Sequence, residues 1–244
     1  MPLSENEIIK LIKTEEDKLS RISIHGANLG SLLSKYWTII YLRKSGVYNF
    51  KRGILTDLKW IIRIFRFIIA GTLRNKTAPI TDVKVLLGKS SNRSRVRQLI
   101  DPLALSLDTS AIVFSNAKSN DIFDYIQGYN LYEGIKVLIF LTKNVNVFNL
   151  PKELKGFYSR VEMFYLSIIQ INSFLRWSFL FQVNRIEASI VDFDRDFLTA
   201  PMQLAGNLHG LNTVTLVHGV LNPPYAYIPV LSQEIWCWGP YQSK

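Results

Sequence analysis

The 244-residue chain contains a single cysteine, few acidic residues in its N-terminal third, and no apolar run long enough to suggest a membrane span. One cysteine, Cys237, excludes an intramolecular disulfide, which agrees with a reducing compartment. The N-terminus begins Met-Pro-Leu-Ser-Glu-Asn-Glu and lacks the basic start and apolar core of a secretory signal. The most apolar stretch, Trp60 to Gly71, is interrupted by arginine and is far shorter than the ~20 residues that cross a bilayer. We therefore expect a cytoplasmic location, which is compatible with peripheral attachment to the inner face of the membrane.

The scarcity of acidic residues is local. Residues 1–80 contain 14 Lys and Arg against 6 Asp and Glu, whereas residues 81–244 contain 15 against 13. A basic face along the whole chain would favour a nucleic-acid partner. Basic residues confined to an apolar N-terminal third favour a surface that meets anionic lipid head groups instead. We therefore expect no nucleic-acid partner.

Three helices are predicted in the N-terminal third, over residues 5–21, about 29–43 and 54–73, with a break at residues 25–28. The third helix is the most informative. Lys59, Arg63 and Arg66 fall at i, i+4 and i+7, which places them on one helical face, and apolar residues occupy much of the remainder. One interpretation is a helix that lies in the plane of a membrane with a basic flank. The other is a core helix whose basic residues face water. Both interpretations stay open at this point.

From Asp82 onward, short apolar segments alternate with helical stretches. The segments predicted as strands are residues 83–87, 111–114, 135–140, 188–191 and 213–217, and helices are predicted over about 157–184 and 200–209. This alternation is typical of a parallel sheet with helices on both faces. We therefore predict an α/β fold with a Rossmann-like parallel sheet in residues 79–244, preceded by a helical, basic region in residues 1–78.

Signals for a phosphate loop or a metal site are weak. Leu87-Gly88-Lys89-Ser90 follows a strand, but a Walker-type phosphate loop needs a glycine where this sequence has Val83. Arg93 is a candidate contact for an anionic acceptor, with a solvated charged loop as the alternative. The histidines and the single cysteine lack metal-ligand spacing, and the alternating aspartates of residues 192–196 extend past the expected strand end. We therefore expect no metal and no cofactor.

The strongest local signal lies after two predicted strands, in Asp192-Phe193-Asp194-Arg195-Asp196 and in Val217-His218-Gly219. In an open parallel sheet, ligands bind beyond the carboxyl ends of the strands. His218 titrates near neutral pH and is a candidate general base, and Gly219 permits close approach to a ligand. Asp194 is a candidate catalytic helper, while Asp192, Arg195 and Gly219 are candidate substrate contacts. The structural alternative is that His218 bonds to the backbone at its strand end and that Asp194 caps the following helix.

These motifs, with Tyr227-Ile228-Pro229 and Ile235-Trp236-Cys237-Trp238-Gly239, resemble the N-terminal domain of bacterial GT-B glycosyltransferases that build capsule, O-antigen and other surface polysaccharides. The resemblance covers roughly residues 185–240. It implies that the strand end before His218 lies in a cleft between two Rossmann-like domains. It also implies that His218 is the catalytic base and that Asp194 is its helper or an acceptor contact. Val217 stands where many relatives have glutamine, which alters one polar contact.

The resemblance implies transfer of a sugar from a nucleotide-sugar donor to a growing surface polysaccharide or a lipid-linked acceptor, with inversion and without a metal. In this family the second domain carries most nucleotide-sugar contacts, so we expect a further domain or a partner subunit to supply them. Two alternatives stay open. One is a nucleotide-sugar epimerase or polyol-phosphate transferase of the same fold, and the other is a non-catalytic, membrane-associated binding module.

Overall fold

A computed structural model of the chain describes residues 4–34, 54–73, 77–89, 94–107, 111–115, 121–128, 131–144, 160–194, 196–217 and 229–237. The chain divides into two compact units, and each is discontinuous in sequence. The first unit comprises Met1–Leu73, Tyr129–Asn172 and Pro223–Pro229. The second comprises Arg74–Gly128, Ser173–Asn222 and Val230–Lys244. The N-terminal helical region thus shares its unit with a much later part of the chain.

The described elements alternate between helices and short strands. The helices are α1 (Glu5–Leu19), α2 (Ile54–Leu73), α3 (Ser94–Leu107), α4 (Asp121–Gln127), α5 (Leu131–Lys143), α6 (Arg160–Val183) and α7 (Thr199–Leu208). The strands are β1 (Ser23–Ile24), β2 (Ala27–Asn28), β3 (Val85–Lys89), β4 (Ala111–Ser115), β5 (Ala188–Val191), β6 (Asn212–Leu216) and β7 (Glu234–Trp236). Among the described helices, none has both the length and the apolar character that crossing a bilayer requires.

In the first unit, α1 begins with a capping box and is followed by a tight hairpin. The Ser4 backbone N–H donates to the Glu7 carboxylate at 2.7 Å, and the Glu7 N–H donates back to Ser4 Oγ at 3.4 Å. The bonds that the Ser4 N–H and the Ser4 hydroxyl donate to the Glu7 carboxylate lower the pKa of Glu7. The antiparallel pair β1–β2 turns at His25 and Gly26, with φ of 52° and 83°. A two-residue turn of type I′ needs positive φ at both central positions, and His25 and Gly26 meet this requirement where the sequence predicts a break between helices.

In the second unit, five parallel strands form one sheet in the order β4-β3-β5-β6-β7. Counted along the chain, this is the order 2-1-3-4-5, one of the two common orders of doubly wound sheets. The chain reverses its direction of winding between β3 and β5, which is where such sheets bind ligands. The predicted α/β fold with a parallel sheet is therefore confirmed.

Helices cover both faces of this sheet. Leu87, Ile190 and Val214 lie on one face and pack against Val96 and Ile100 of α3. Side chains alternate along a strand, so the neighbouring strand residues point to the opposite face. That face is covered by α7, whose Gly206 lies against Thr213 and Ser189. One face is thus apolar, and the other presents hydroxyl groups to its helix.

The strand predicted at residues 135–140 is wrong, because these residues lie in α5. The buried residues of α5 are Gly134, Val137 and Leu141, which recur at i, i+3 and i+7 as on one helical face. Ile135 and Ile139 are about half exposed, so their apolar, β-branched character does not mark a buried strand. The other predicted strands correspond to β3, β4, β5 and β6. The helix predicted over residues 29–43 falls mostly outside the described residues.

We expect Gly206→Ala to destabilise the second unit. An added Cβ would lie 2.8 Å from Thr213 Cγ2, which is closer than carbon contacts allow, and 3.3 Å from Ser189 Oγ, which is a tight contact. Overpacking costs about 1–3 kcal/mol, which exceeds the ~1 kcal/mol that alanine gains over glycine in a helix. Urea unfolding measures the net change.

Thr213→Ser provides the matched control, because serine keeps the hydroxyl and removes the Cγ2 that the new methyl group meets. In the double variant Gly206→Ala/Thr213→Ser, most of the stability loss caused by the alanine should disappear. If Gly206→Ala lowers the unfolding free energy equally with threonine and with serine at position 213, the contact with Thr213 Cγ2 does not limit how closely α7 approaches the sheet.

Candidate functional site

The candidate site begins at the carboxyl end of β5, beside the point where the winding of the sheet reverses. Asp192 directly follows β5 and is fully buried, and its backbone N–H donates to Gly88 O at 3.3 Å. That hydrogen bond continues the pairing of β5 with β3 by one residue. The Asp192 carboxyl is therefore held inside the protein at the edge where doubly wound sheets bind ligands.

Asp194 links the loop after β5 to the segment that leads into β7. It is 2% exposed, and its Oδ2 accepts a hydrogen bond from the Leu231 backbone N–H at 3.0 Å. This N–H donor restricts the orientation of the carboxylate. The structure thus gives Asp194 a definite backbone partner far away in sequence.

The helix cap that the structural alternative assigned to Asp194 is supplied by Asp196 instead. Asp196 Oδ1 accepts from the Leu198 N–H at 2.8 Å, from the Thr199 N–H at 2.6 Å and from Thr199 Oγ1 at 2.8 Å. These bonds satisfy backbone donors at the start of α7, which have no partner within the helix. Desolvation raises the pKa of Asp196, the charge of Asp192 adds to this effect, and the hydrogen bonds from Thr199 and Leu198 oppose it.

Threonines of β6 hold the segment before β7 in place. Thr213 Oγ1 donates to Asn207 Oδ1 at 2.5 Å and accepts from the Gln233 N–H at 2.8 Å. Asn207 Nδ2 donates to Leu231 O at 2.5 Å, and the hydroxyl groups of Thr215 and Ser232 are 2.5 Å apart. Together with Asp194, these groups fix residues 231–233 at three separate points. The segment that enters β7 is therefore held against β6 and α7.

A buried glutamine on α7 completes the polar face of the sheet. Gln203 is fully buried, its Oε1 accepts from Ser189 Oγ at 2.8 Å, and its Nε2 donates to Val214 O at 3.1 Å. Neither this residue nor Asn207 is among the site residues predicted from the sequence. The available signal was the occurrence of Ser189 and Thr213 at strand positions that face away from the apolar core.

A lysine at the end of β3 is paired within the protein. The Lys89 ammonium forms an ion pair with Asp101 of α3, and the lysine side chain is only 12% exposed. This cation at the end of β3, beside the reversal point of the sheet, is thus matched by an anion. This pairing explains why Lys89 holds α3 against β3 rather than presenting a charge to solvent.

Several predicted site residues cannot be placed. Asp192 and Asp194 are described, whereas His218, Gly219, Arg195 and Arg93 lie outside the described residues. Val217, the residue before His218, is the last described residue after β6. It is fully buried, and its N–H donates to Trp236 O at 2.9 Å. Because β5 and β6 are neighbours, Asp192 and Val217 lie at the same edge of the sheet. Within the described ranges, no three His, Cys, Asp or Glu residues cluster as metal ligands.

His209, at the carboxyl end of α7, has a structural environment. Its Nε2 lies 2.7 Å from Ser178 Oγ, and its ring makes an edge contact with Phe181 at 6.3 Å between centroids. Burial lowers the pKa of His209, which favours the neutral imidazole near pH 7.

Comparisons of the chain with protein-family models, with curated proteins and with solved structures gave no match.

We expect Asp196→Ala to lower the unfolding free energy by about 1 kcal/mol, because two backbone N–H groups at the start of α7 lose their acceptor. Asp196→Asn should retain most of the stability, since the amide oxygen accepts the same bonds. Urea unfolding at constant pH compares the three proteins.

The wild type and Asp196→Asn, compared over a range of pH, also test the raised pKa of Asp196. A carboxyl whose pKa is higher in the folded state keeps its proton to higher pH than in the unfolded chain. The wild type should therefore lose stability relative to Asp196→Asn as pH rises from the unfolded value of 3.8 to the folded pKa. A stability difference that stays constant, or that changes in the opposite direction, would contradict this assignment.

Proposed function

We propose that this chain is the acceptor-side part of a GT-B glycosyltransferase, which transfers a sugar from a nucleotide-sugar donor to a growing bacterial surface polysaccharide or a lipid-linked acceptor. One observation carries the proposal. The two segments that resemble this family follow β5 and β6, which are adjacent parallel strands, so both leave the sheet at its carboxyl edge. Ligands of doubly wound sheets bind at this edge.

The proposed reaction needs a base and a leaving group. His218 takes the proton from an acceptor hydroxyl, the hydroxyl oxygen forms a bond to the anomeric carbon, and the bond from that carbon to the phosphate oxygen breaks. The nucleoside diphosphate leaves with the electron pair, toward helix N-termini of a further domain where backbone N–H groups favour anions. Gly219 and Arg195 contact the substrate beside the base, and Arg93 contacts an anionic acceptor. The step requires no metal and inverts the anomeric centre.

Asp194 acts as a positioning residue in this proposal. Its Oδ2 is engaged by the Leu231 N–H, and its side chain is almost completely buried, so it is suited to orient a neighbour rather than to exchange protons with solvent. A carboxylate fixed in this way can hold an imidazole in one tautomer and stabilise the imidazolium that forms. Asp192, at the end of β5, supplies a second buried carboxyl near the acceptor.

We expect His218→Ala in the full-length protein to lower the rate of sugar transfer by about 10²- to 10⁴-fold, the usual contribution of a general base. Release of nucleoside diphosphate from a panel of nucleotide sugars, with and without membrane lipids of the source organism as acceptor, measures the activity. His25→Asn is the matched control, since His25 is exposed in the first unit and asparagine tolerates its positive φ.

Asp194→Asn separates positioning from folding. The asparagine oxygen can still accept the Leu231 N–H, so the unfolding free energy should change by less than about 1 kcal/mol. The acid limb of the pH profile of kcat should nevertheless shift to lower pH, because the imidazolium loses the carboxylate that stabilises it and the neutral base forms at lower pH.

Three results would overturn the proposal. Full transfer activity in His218→Ala would exclude this residue as the base. Isomerised nucleotide sugar without acceptor would indicate an epimerase, and a polyol-phosphate product would indicate a phosphotransferase. Nucleotide-sugar turnover that is absent in the wild type under all these conditions would favour a binding module.

A further inference from the structure

Two helices of the first unit expose apolar side chains on faces that do not belong to the core. On α2 the inward positions are Trp60, Ile64, Phe67 and Ile68, which recur at helical spacing. Trp60 and Phe67 both contact Tyr165 of α6, with ring centroids 5.3 Å and 6.2 Å apart. This inward face satisfies the packing requirement of the helix. Any further apolar face on α2 therefore needs a different explanation.

That further face is an exposed strip along the length of α2. Its members are apolar residues between 40% and 84% exposed: Leu58, Ile61, Ile62, Phe65, Ile69 and Leu73. Their spacing of three or four residues places them on one side of the helix. A second strip, of exposed Lys59, Arg63 and Arg66, runs beside it, and the Arg63 guanidinium lies 4.3 Å from the centre of the Trp60 ring.

Helix α5 repeats this three-part organisation and is in contact with α2. Its buried face has been described above, and its exposed apolar residues are Leu131, Tyr132, Ile135 and Ile139, from 45% to 64% exposed. Lys136 and Lys143 are exposed, and the Lys136 ammonium lies 4.2 Å from the centre of the Tyr132 ring. We refer to the exposed apolar and basic residues of α2 and α5 together as the amphipathic surface.

Charge decides which partner the amphipathic surface fits. Asp57 and Glu133 are the acidic residues of α2 and α5, and both are half-buried in the first turn of their helices. The exposed parts of the surface therefore carry cations beside apolar groups and no anions. A second copy of the chain, paired through the same surface about a two-fold axis, would bring cations against cations. An anionic partner with an apolar interior does not impose this repulsion.

We infer that the amphipathic surface binds the head-group region of a membrane that contains anionic lipids, with α2 and α5 lying in the plane of the interface. Apolar strips enter the acyl boundary while Lys and Arg meet lipid phosphate groups. The long stems of these basic residues let their charged ends reach the head groups from a helix that lies in the plane. This inference does not rest on the proposed glycosyl transfer.

Vesicle sedimentation tests this surface directly. The full-length protein should bind vesicles of phosphatidylcholine mixed with phosphatidylglycerol, bind vesicles of phosphatidylcholine alone much more weakly, and be released as salt shortens the screening length. Phe65→Ser/Ile69→Ser should weaken partition more than ~10-fold, because the strip loses two exposed apolar anchors. Lys59→Gln/Arg66→Gln should weaken it by roughly 20-fold at low salt and reduce its salt dependence.

Matched controls use exposed residues elsewhere. Leu105→Ser/Ile80→Ser removes two apolar groups that are 82% and 86% exposed, and Lys10→Gln/Lys13→Gln removes two exposed cations from α1. Neither control should change vesicle binding. Circular dichroism and urea unfolding confirm that every variant is folded, which the exposure of the substituted side chains leads us to expect.

The inference is overturned by any of three outcomes. Failure of the wild-type protein to bind anionic vesicles at low salt would exclude an anionic membrane as the partner. Equal loss in the control variants would show that binding is not specific to this surface. A concentration-dependent dimer that Phe65→Ser/Ile69→Ser abolishes, seen by analytical ultracentrifugation without lipid, would show that a second copy covers the surface instead.

Discussion

The hydrogen-bonding requirement of polar groups buried between α7 and the sheet underlies the arrangement of the second unit. An amide or hydroxyl in this layer costs free energy unless it finds a partner, because water is excluded. Gln203 and Asn207 meet this requirement by bonding to β5, to β6 and to the segment before β7. The close approach at Gly206 is possible because this residue has no side chain. A displacement of α7 by one turn would leave several of these groups without partners, so the helix has one favourable register.

This register also determines the candidate site. The segment at residues 231–233 is held by Asn207, Thr213 and Asp194, which come from three consecutive parts of the chain. The loop after β5 is thereby tied to the entry of β7 by side-chain hydrogen bonds rather than by strand pairing. In the proposed enzyme, these bonds would help a buried carboxylate to hold its neighbour in one orientation.

The sequence predicted the parts of the fold in which a periodic pattern and burial agree. The parallel sheet was predicted from short apolar segments that alternate with helical stretches. The strands β3, β4, β5 and β6 lie close to their predicted positions. The prediction failed at Ile135 and Ile139, because apolar residues exposed on a helix resemble a buried strand when only composition is considered. Nothing local indicates that residues 129–172 share a unit with the N-terminal helices, since this grouping depends on long-range packing. The site could be predicted only as two loops after two strands. The hydrogen bond from the Leu231 N–H to Asp194 joins positions far apart in the sequence. The sequence also does not show which of three similar aspartates accepts the N–H bonds at the start of α7.

The pairing of Lys89 with Asp101 distinguishes this cation from the basic residues of α2 and α5. Lys89 is largely buried and neutralised, whereas the basic residues of α2 and α5 are exposed. A paired charge exerts little force at long range, while exposed charges of one sign add to a field that attracts anions over a screening length. An anionic ligand that approaches the end of β3 therefore gains little acceleration from this lysine. Salt should act instead on encounters at the exposed basic residues of α2 and α5, whose attraction for anions weakens as the screening length shortens.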